Sequence, residues 1–280
     1  MPNPTKSERR DEARAEAARL REEQQRTARR QRTIAITLVS VAVVVLVAVV
    51  AWILSNQPEP APDLSKVDDP LGSVSAPATA NDQGGIPVGS DGVAGAVGDS
   101  DATQVVVYSD YMCPVCGLFE ETNGATLNEL RESGDIVVDY RPVSILDRTS
   151  QGSQFSTRSA TAAAFVADQD PASFVAFNEA MFANQPGEGS TGMSDEQIAE
   201  IARTAGVDDE VAAAIADGTY FSGEDSFAPW VTASTEQATR DFPDGFGTPT
   251  ILIDGENLAD MNVDWRAPGA LASAIESARG

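Results

Sequence analysis

The sequence predicts an α/β domain in which a strand–helix–strand unit is followed by a long helical block, then by a closing strand and helix. Three observations carry this. The apolar run "QVVVY" (104–108) is followed by a helix-type stretch and then by the strand-type "DIVVDYRPV" (135–143). A helical pattern of roughly 100 residues follows. Strand signal returns only at "TPTILIDG" (248–255).

Ahead of this domain the charge is unevenly placed. Residues 1–33 carry ten basic against six acidic side chains, a net of +4 in a chain whose total is −24, so the remainder holds −28. An acidic body repels phosphate, which excludes nucleic acid as its partner. Residues 34–54, "IAITLVSVAVVVLVAVVAWIL", run without a charge, proline or glycine. About 20 apolar residues span a bilayer as a helix. The stretch is longer and its basic leader more extended than a cleavable signal allows, so a single retained transmembrane helix is expected. Arg26, Arg29, Arg30 and Arg32 crowd its N-terminal side, and the next basic residue is Lys66. The positive-inside rule then puts 1–33 in the cytoplasm and 55–280 on the oxidising, extracytoplasmic side of the cell membrane. Residues 5–32 are built from good helix formers, with Thr5 and Glu8 spaced as a capping box.

Residues 55–83 are rich in Pro, Ala, Ser and Asp and read as a disordered tether, with a reach on the order of 30 Å. The folded part, 84–280, is expected to open with a short strand at "GIPVG" and then "QVVVY". A helix should begin with Pro114 at its first position, continue through Leu118, Leu127 and Leu130, and stop near Gly134. Within the helical block, about 144–247, "TRSATAAAFVADQ" is one helix. Asp170-Pro171 opens another, with Phe174, Phe177 and Met181 on one face. Ser194 and Gln197 form a capping box for a third, ended by Gly206. "DDEVAAAIADG" is a fourth, and a fifth carries Trp230, Val231 and Ser234 behind Pro229. "APGALASAIESAR" closes the chain as a helix, and no fixed-period repeat is present.

Cys113 and Cys116, in "YSDYMCPVC", are the only cysteines, and there is no histidine. A structural zinc site needs four ligands, so carboxylates would have to complete it. A structural disulfide closing so short a loop stabilises by only about 2 kcal/mol, which a domain of this size does not need. A redox pair explains the placement. A cysteine at a helix start faces unpaired backbone N–H groups and the positive end of the macrodipole, and both favour thiolate. The second cysteine, one turn on, is placed to resolve a mixed disulfide, with Pro114-Val115 shaping the turn between them.

These residues resemble the thioredoxin superfamily and, within it, the DsbA-like branch. "VVVYSDYMCPVC" is similar to that branch's first strand and active site, and "DIVVDYRPVSIL" to its second strand. "FVAFNEAMFANQ" resembles its inserted helical domain, and "GFGTPTILIDGE" its Thr–cis-Pro strand. The resemblance covers about 84–280 and implies a thioredoxin-like fold with a helical insertion. It implies Cys113 as exposed nucleophile and Cys116 as shielded resolving thiol. It implies Pro249 in the cis form, with Thr248 offering backbone hydrogen bonds to an extended client. Neither cofactor nor metal is implied. The expected partners are exported proteins with free thiols and a membrane redox protein that reoxidises the pair.

Two departures bear on strength. The dipeptide between the cysteines lacks the histidine common in the branch, and Val107 stands where many members carry a buried acid. Asp110 reads as a turn or cap residue, and Glu120 and Glu121 as surface charges. Helix-end effects alone bring Cys113 to a pKa of roughly 7, with a potential nearer about −180 mV than about −120 mV. The function expected is an anchored oxidoreductase that forms or shuffles disulfides in exported proteins. A binding or assembly module on the same fold, and a redox sensor signalling through the anchor, are the competing classes.

Overall fold

The computed structural model describes residues 36–37, 39–51, 64, 66–96 and 101–279. The chain divides into two compact units, Met1–Pro60 and Ala61–Gly280. In the first, 36–37 and 39–51 are helical and exposed. A helix over 39–51 is about 20 Å long, short of the roughly 30 Å hydrocarbon core. Among the described residues no helix is long and apolar enough to cross a membrane. The other positions of the expected 34–54 span, and the basic helix expected over 5–32, lie outside the described residues.

The second unit is built on a five-stranded sheet: β1 (Ile86–Val88), β2 (Thr103–Ser109), β3 (Ile136–Pro142), β4 (Thr250–Ile253) and β5 (Glu256–Asn257). Their order across the sheet is β1-β3-β2-β4-β5. Only β2 and β3 run parallel, with Val105 opposite Val138. Each other neighbouring pair is antiparallel. Alternation along β2 serves two faces. Val105 and Val107 join the main core with Phe119, Leu127, Val138, Ile251, Ile253 and Ile275. Val106 and Tyr108 turn the other way, onto Val143, Ala238 and Leu252.

Parallel strands need a crossover, and α1 (Pro114–Glu132) supplies it between β2 and β3. The helical block holds α2 (Phe155–Gln169), α3 (Phe174–Ala183), α4 (Asp195–Thr204), α5 (Asp209–Ala216), the one-turn α6 (Thr219–Ser222) and α7 (Ala228–Asp241). The chain then returns through β4 and β5 to α8 (Ala270–Arg279). The expected capping box at α4 is present: Gln197 N–H donates to Ser194 Oγ at 3.3 Å, and Ser194 N–H donates to Gln197 Oε1 at 2.9 Å. Phe174, Phe177 and Met181 are fully buried, as their spacing requires. The first helix runs through Leu118, Leu127 and Leu130 as expected, with Leu118 itself 43% exposed.

The boundary expected at Gly84 is corrected. Arg240 of α7 donates to the carbonyls of Leu64 (2.7 Å) and Val67 (2.7 Å), while Leu71 and Val74 pack against the core. The packed unit therefore reaches back to Leu64, and only 55–63 and 65 of the expected tether lie outside the described residues.

The sheet also carries a buried ion pair. Arg141 lies 2.9 Å from the Asp139 carboxylate and donates to the Tyr108 hydroxyl at 2.5 Å; Asp139 also accepts from Asn81. Gly85 leaves room for it, because a Cβ there would stand 1.9 Å from an Asp139 oxygen. Asp139→Ala should strand the guanidinium and destabilise the domain by about 3–5 kcal/mol in a urea titration. Glu200→Ala, at the exposed pair with Arg203, should shift it by less than about 0.5 kcal/mol.

Candidate active site

Cys113 ends the β2-to-α1 turn, and the residue after it dictates its conformation. A residue before proline is steered away from helical backbone; Cys113 is extended (φ −79°, ψ 112°), and the helix starts at Pro114. Proline loses nothing at that first position, since its missing N–H would have had no helical partner. The first amides of α1, at Val115 and Cys116, help to stabilise the Cys113 thiolate, while Cys116 N–H also donates to the Cys113 carbonyl at 3.0 Å.

The resemblance implied an exposed Cys113, and the structure corrects this: Cys113 is 5% exposed and Cys116 1%. The cover comes from the strand-end segment before β4, where Cys113 Sγ lies 3.3 Å from the Thr248 carbonyl. The Thr248–Pro249 bond is cis. The antiparallel ladder ends with Tyr108 opposite Thr250, so Thr248 and Pro249 run beyond the last paired residue, half-buried, against the cysteines.

The two thiols are electrostatically unlike. A hydrogen bond from Cys116 lowers Cys113 to about 6; burial opposes this, and the Thr248 side chain and the Cys116 and Val115 amides assist. That is lower than the value of about 7 expected from a helix end, and the Cys116 thiol is the largest of the groups that lower it. Burial pushes Cys116 well above the usual thiol range, helped by its bond to Cys113 and by that group's charge. One sulfur is poised as a thiolate and its neighbour as a thiol. Together they can open a disulfide, hold it as a mixed disulfide and release it.

Asp110 is fully buried, and its turn reading holds: Oδ1 accepts from the Met112 amide at 2.9 Å. The carboxylate reaches further, to Ser156 Oγ of α2 (2.7 Å) and the Leu146 amide (3.0 Å). Burial raises its pKa to about 6 against these donors. Glu121 is exposed as expected, but Glu120 is half-buried and raised to about 7 by burial and by Glu179. Both glutamates line a groove of about 820 Å³ between α1 and α3, with Pro114, Leu118, Phe182 and Gln185. Among the described residues no group of three or more Cys, Asp or Glu gathers as a metal site.

Sequence reasoning missed the helical block's own contribution. Tyr111 donates to Asn178 Oδ1 of α3 at 2.8 Å and stacks on Phe182, their centroids 4.7 Å apart. Gln185 Nε2, just past α3, donates to the carbonyls of Tyr111 (2.9 Å) and Cys113 (2.8 Å). The aromatic spacing in "FVAFNEAMF" marked that helix face as core, but an amide has no pattern that would single out Gln185.

Fold and site define a DsbA-like thiol–disulfide oxidoreductase. A family model described as thioredoxin matches residues 91–270, and the chain belongs to that family. DsbA of Mycobacterium tuberculosis, solved oxidised and reduced, is 29% identical, with a TM-score of 0.53 over 70% of this chain and 93% of that one. DsbG, a disulfide bond oxidoreductase of the same organism, is 28% identical, with a TM-score of 0.53 over 76% of this chain and 93% of that one. The serine/threonine-protein kinase PknE of M. tuberculosis is 28% identical over 184 residues, covering 64% of this chain. The chain spans 31% of that kinase's length.

The thiol asymmetry has a pH signature. A lowered pKa in the folded state adds stability that is present above the unfolded thiol's pKa and lost as pH falls through about 6. Asp110 acts oppositely: its raised pKa withdraws roughly 3 kcal/mol as pH climbs from about 4 through 6. Iodoacetamide labelling of the reduced chain should therefore show Cys113 reacting first, with a rate midpoint near pH 6. A midpoint near 8.5 would mean an ordinary thiol.

Proposed function

We propose that the protein forms or shuffles disulfides in exported proteins from an anchored, extracytoplasmic position. The observation that carries this is the unlike pair Cys113 and Cys116 at the start of α1, set against the unpaired strand end at Thr248 and Pro249.

In the oxidising direction a client thiolate attacks Cys113 Sγ of the Cys113–Cys116 disulfide. That bond breaks, Cys116 leaves and takes up a proton, and client and Cys113 are joined. A second client thiolate then attacks the client sulfur, forming the client disulfide and expelling Cys113. Two electrons have moved from client to protein. Thiolates of low pKa leave readily, so the lowered Cys113 suits this last step. Catalytic turnover then needs a membrane disulfide donor to reoxidise the pair. In the shuffling direction the Cys113 thiolate attacks a client disulfide, and Cys116 clears it if the client stalls. The client's backbone is read as docking along the edge at Thr248 and Pro249, by strand addition.

Support for the location comes from the uncharged 34–54 segment, the arginines on one side of it and the acidic body on the other. With Cys116→Ala expressed in cells, Cys113 should accumulate in reducible high-mass adducts with exported clients. These should sediment with membranes and be shaved by protease added to spheroplasts. Cys113→Ala should trap about tenfold less, because its remaining thiol is buried and protonated. Equal trapping by both variants would overturn the assignment of nucleophile and resolver. Protease-resistant adducts would overturn the topology, and a pair that stays oxidised and traps nothing would mark an inert staple.

A further inference from the structure

Gln185 lies outside every element that builds the site, yet both hydrogens of its amide are spent on the active-site turn. They go to the carbonyls of Tyr111 and Cys113, on either side of Met112. The amide's orientation follows from its partners, since the reverse would set its oxygen against two carbonyl oxygens. Its Oε1 rests on Gly117 in the first turn of α1, where a Cβ would meet that oxygen at 2.4 Å. Glycine inside a helix is disfavoured relative to alanine, so the bare position has a reason in this seat. The Cys113 carbonyl held by Gln185 is also the acceptor for the Cys116 and Gly117 amides, at 3.0 and 3.2 Å. It thus opens the helical ladder whose first amides, at Val115 and Cys116, also favour the Cys113 thiolate.

Resting on the oxidoreductase reading, we propose that Gln185 is a positioning residue for thiol exchange, fixing the peptide groups around Cys113 from the helical insertion through a seat that Gly117 keeps open. Its neutral amide also cancels part of the negative potential of two carbonyls beside the nucleophile, which favours thiolate without adding charge. The helical block thereby completes the site as well as walling it.

Two variants of the full chain test this, both read by the pH profile of Cys113 alkylation in the reduced protein. Gln185→Met keeps the bulk and removes the donors; the midpoint should rise by about half a unit, cutting reactivity at pH 5 about threefold. Gly117→Ala leaves Gln185 in the chain but fills its seat. It should give the same shift with a smaller loss of thermal stability than Gln185→Met, because alanine favours the helix and offsets part of the lost hydrogen bonding. A purely structural Gln185 would leave the profile of Gly117→Ala on that of the parent protein, and this overturns the proposal even if Gln185→Met fails to fold. Alkylation needs no client, so a chain inactive on every client tested would sink the oxidoreductase reading while leaving this assignment measurable.

Discussion

Parallel pairing of β2 with β3 is the constraint on which the rest depends. Two parallel neighbours cannot be joined by a hairpin, so the chain must cross over, and α1 is that crossover. The helix has to start where β2 ends, at the C-terminal edge of the sheet, which is where doubly wound and related sheets place their chemistry. Pro114 fixes the starting residue, and Cys113 is left as the cap beside the first-turn amides of Val115 and Cys116. The antiparallel return of β4 beside β2 then brings its own unpaired end, Thr248 and Pro249, to the same edge.

The chemistry follows from how unequally that geometry treats two identical side chains. Cys113 gathers donors: the Cys116 thiol, the Thr248 side chain and two backbone amides. Cys116, one turn further in, meets apolar surroundings and its neighbour's charge. No histidine is required, because the resolving thiol itself is the strongest single donor to the nucleophile. Burial of both sulfurs also limits which partners reach them, leaving the approach to the strand end at Thr248 and to the half-exposed Val115 and Leu118.

Much of this was legible in the residues. The apolar runs and length of 104–108 and 135–143, the proline after Cys113 and the Thr-Pro before the last strand each act locally, so their consequences could be read directly. The missed features act over distance or without pattern. Arg240 captures carbonyls at Leu64 and Val67, more than 170 positions away, and so turns part of a proline-rich stretch from tether into fold. The two-residue β5 is too short to show a period. Gln185 and Asn178 are amides whose value lies wholly in what faces them, and Glu120 is drawn inward by the packing of α3 on α1. The burial of Cys113 was misjudged because it depends on the segment at Thr248, contributed from 135 residues away.

The central claim is that first-turn amides and the Cys116 thiol stabilise the Cys113 thiolate, and with it the reduced pair. The reduction potential of the Cys113–Cys116 couple, from equilibration in glutathione buffers, tests it most directly. A thiolate favoured beyond the helix-end effect should place the couple between about −180 and −120 mV. A value at or below about −270 mV, as in thioredoxin itself, would mean that the reduced form gains nothing from these donors and would contradict the account.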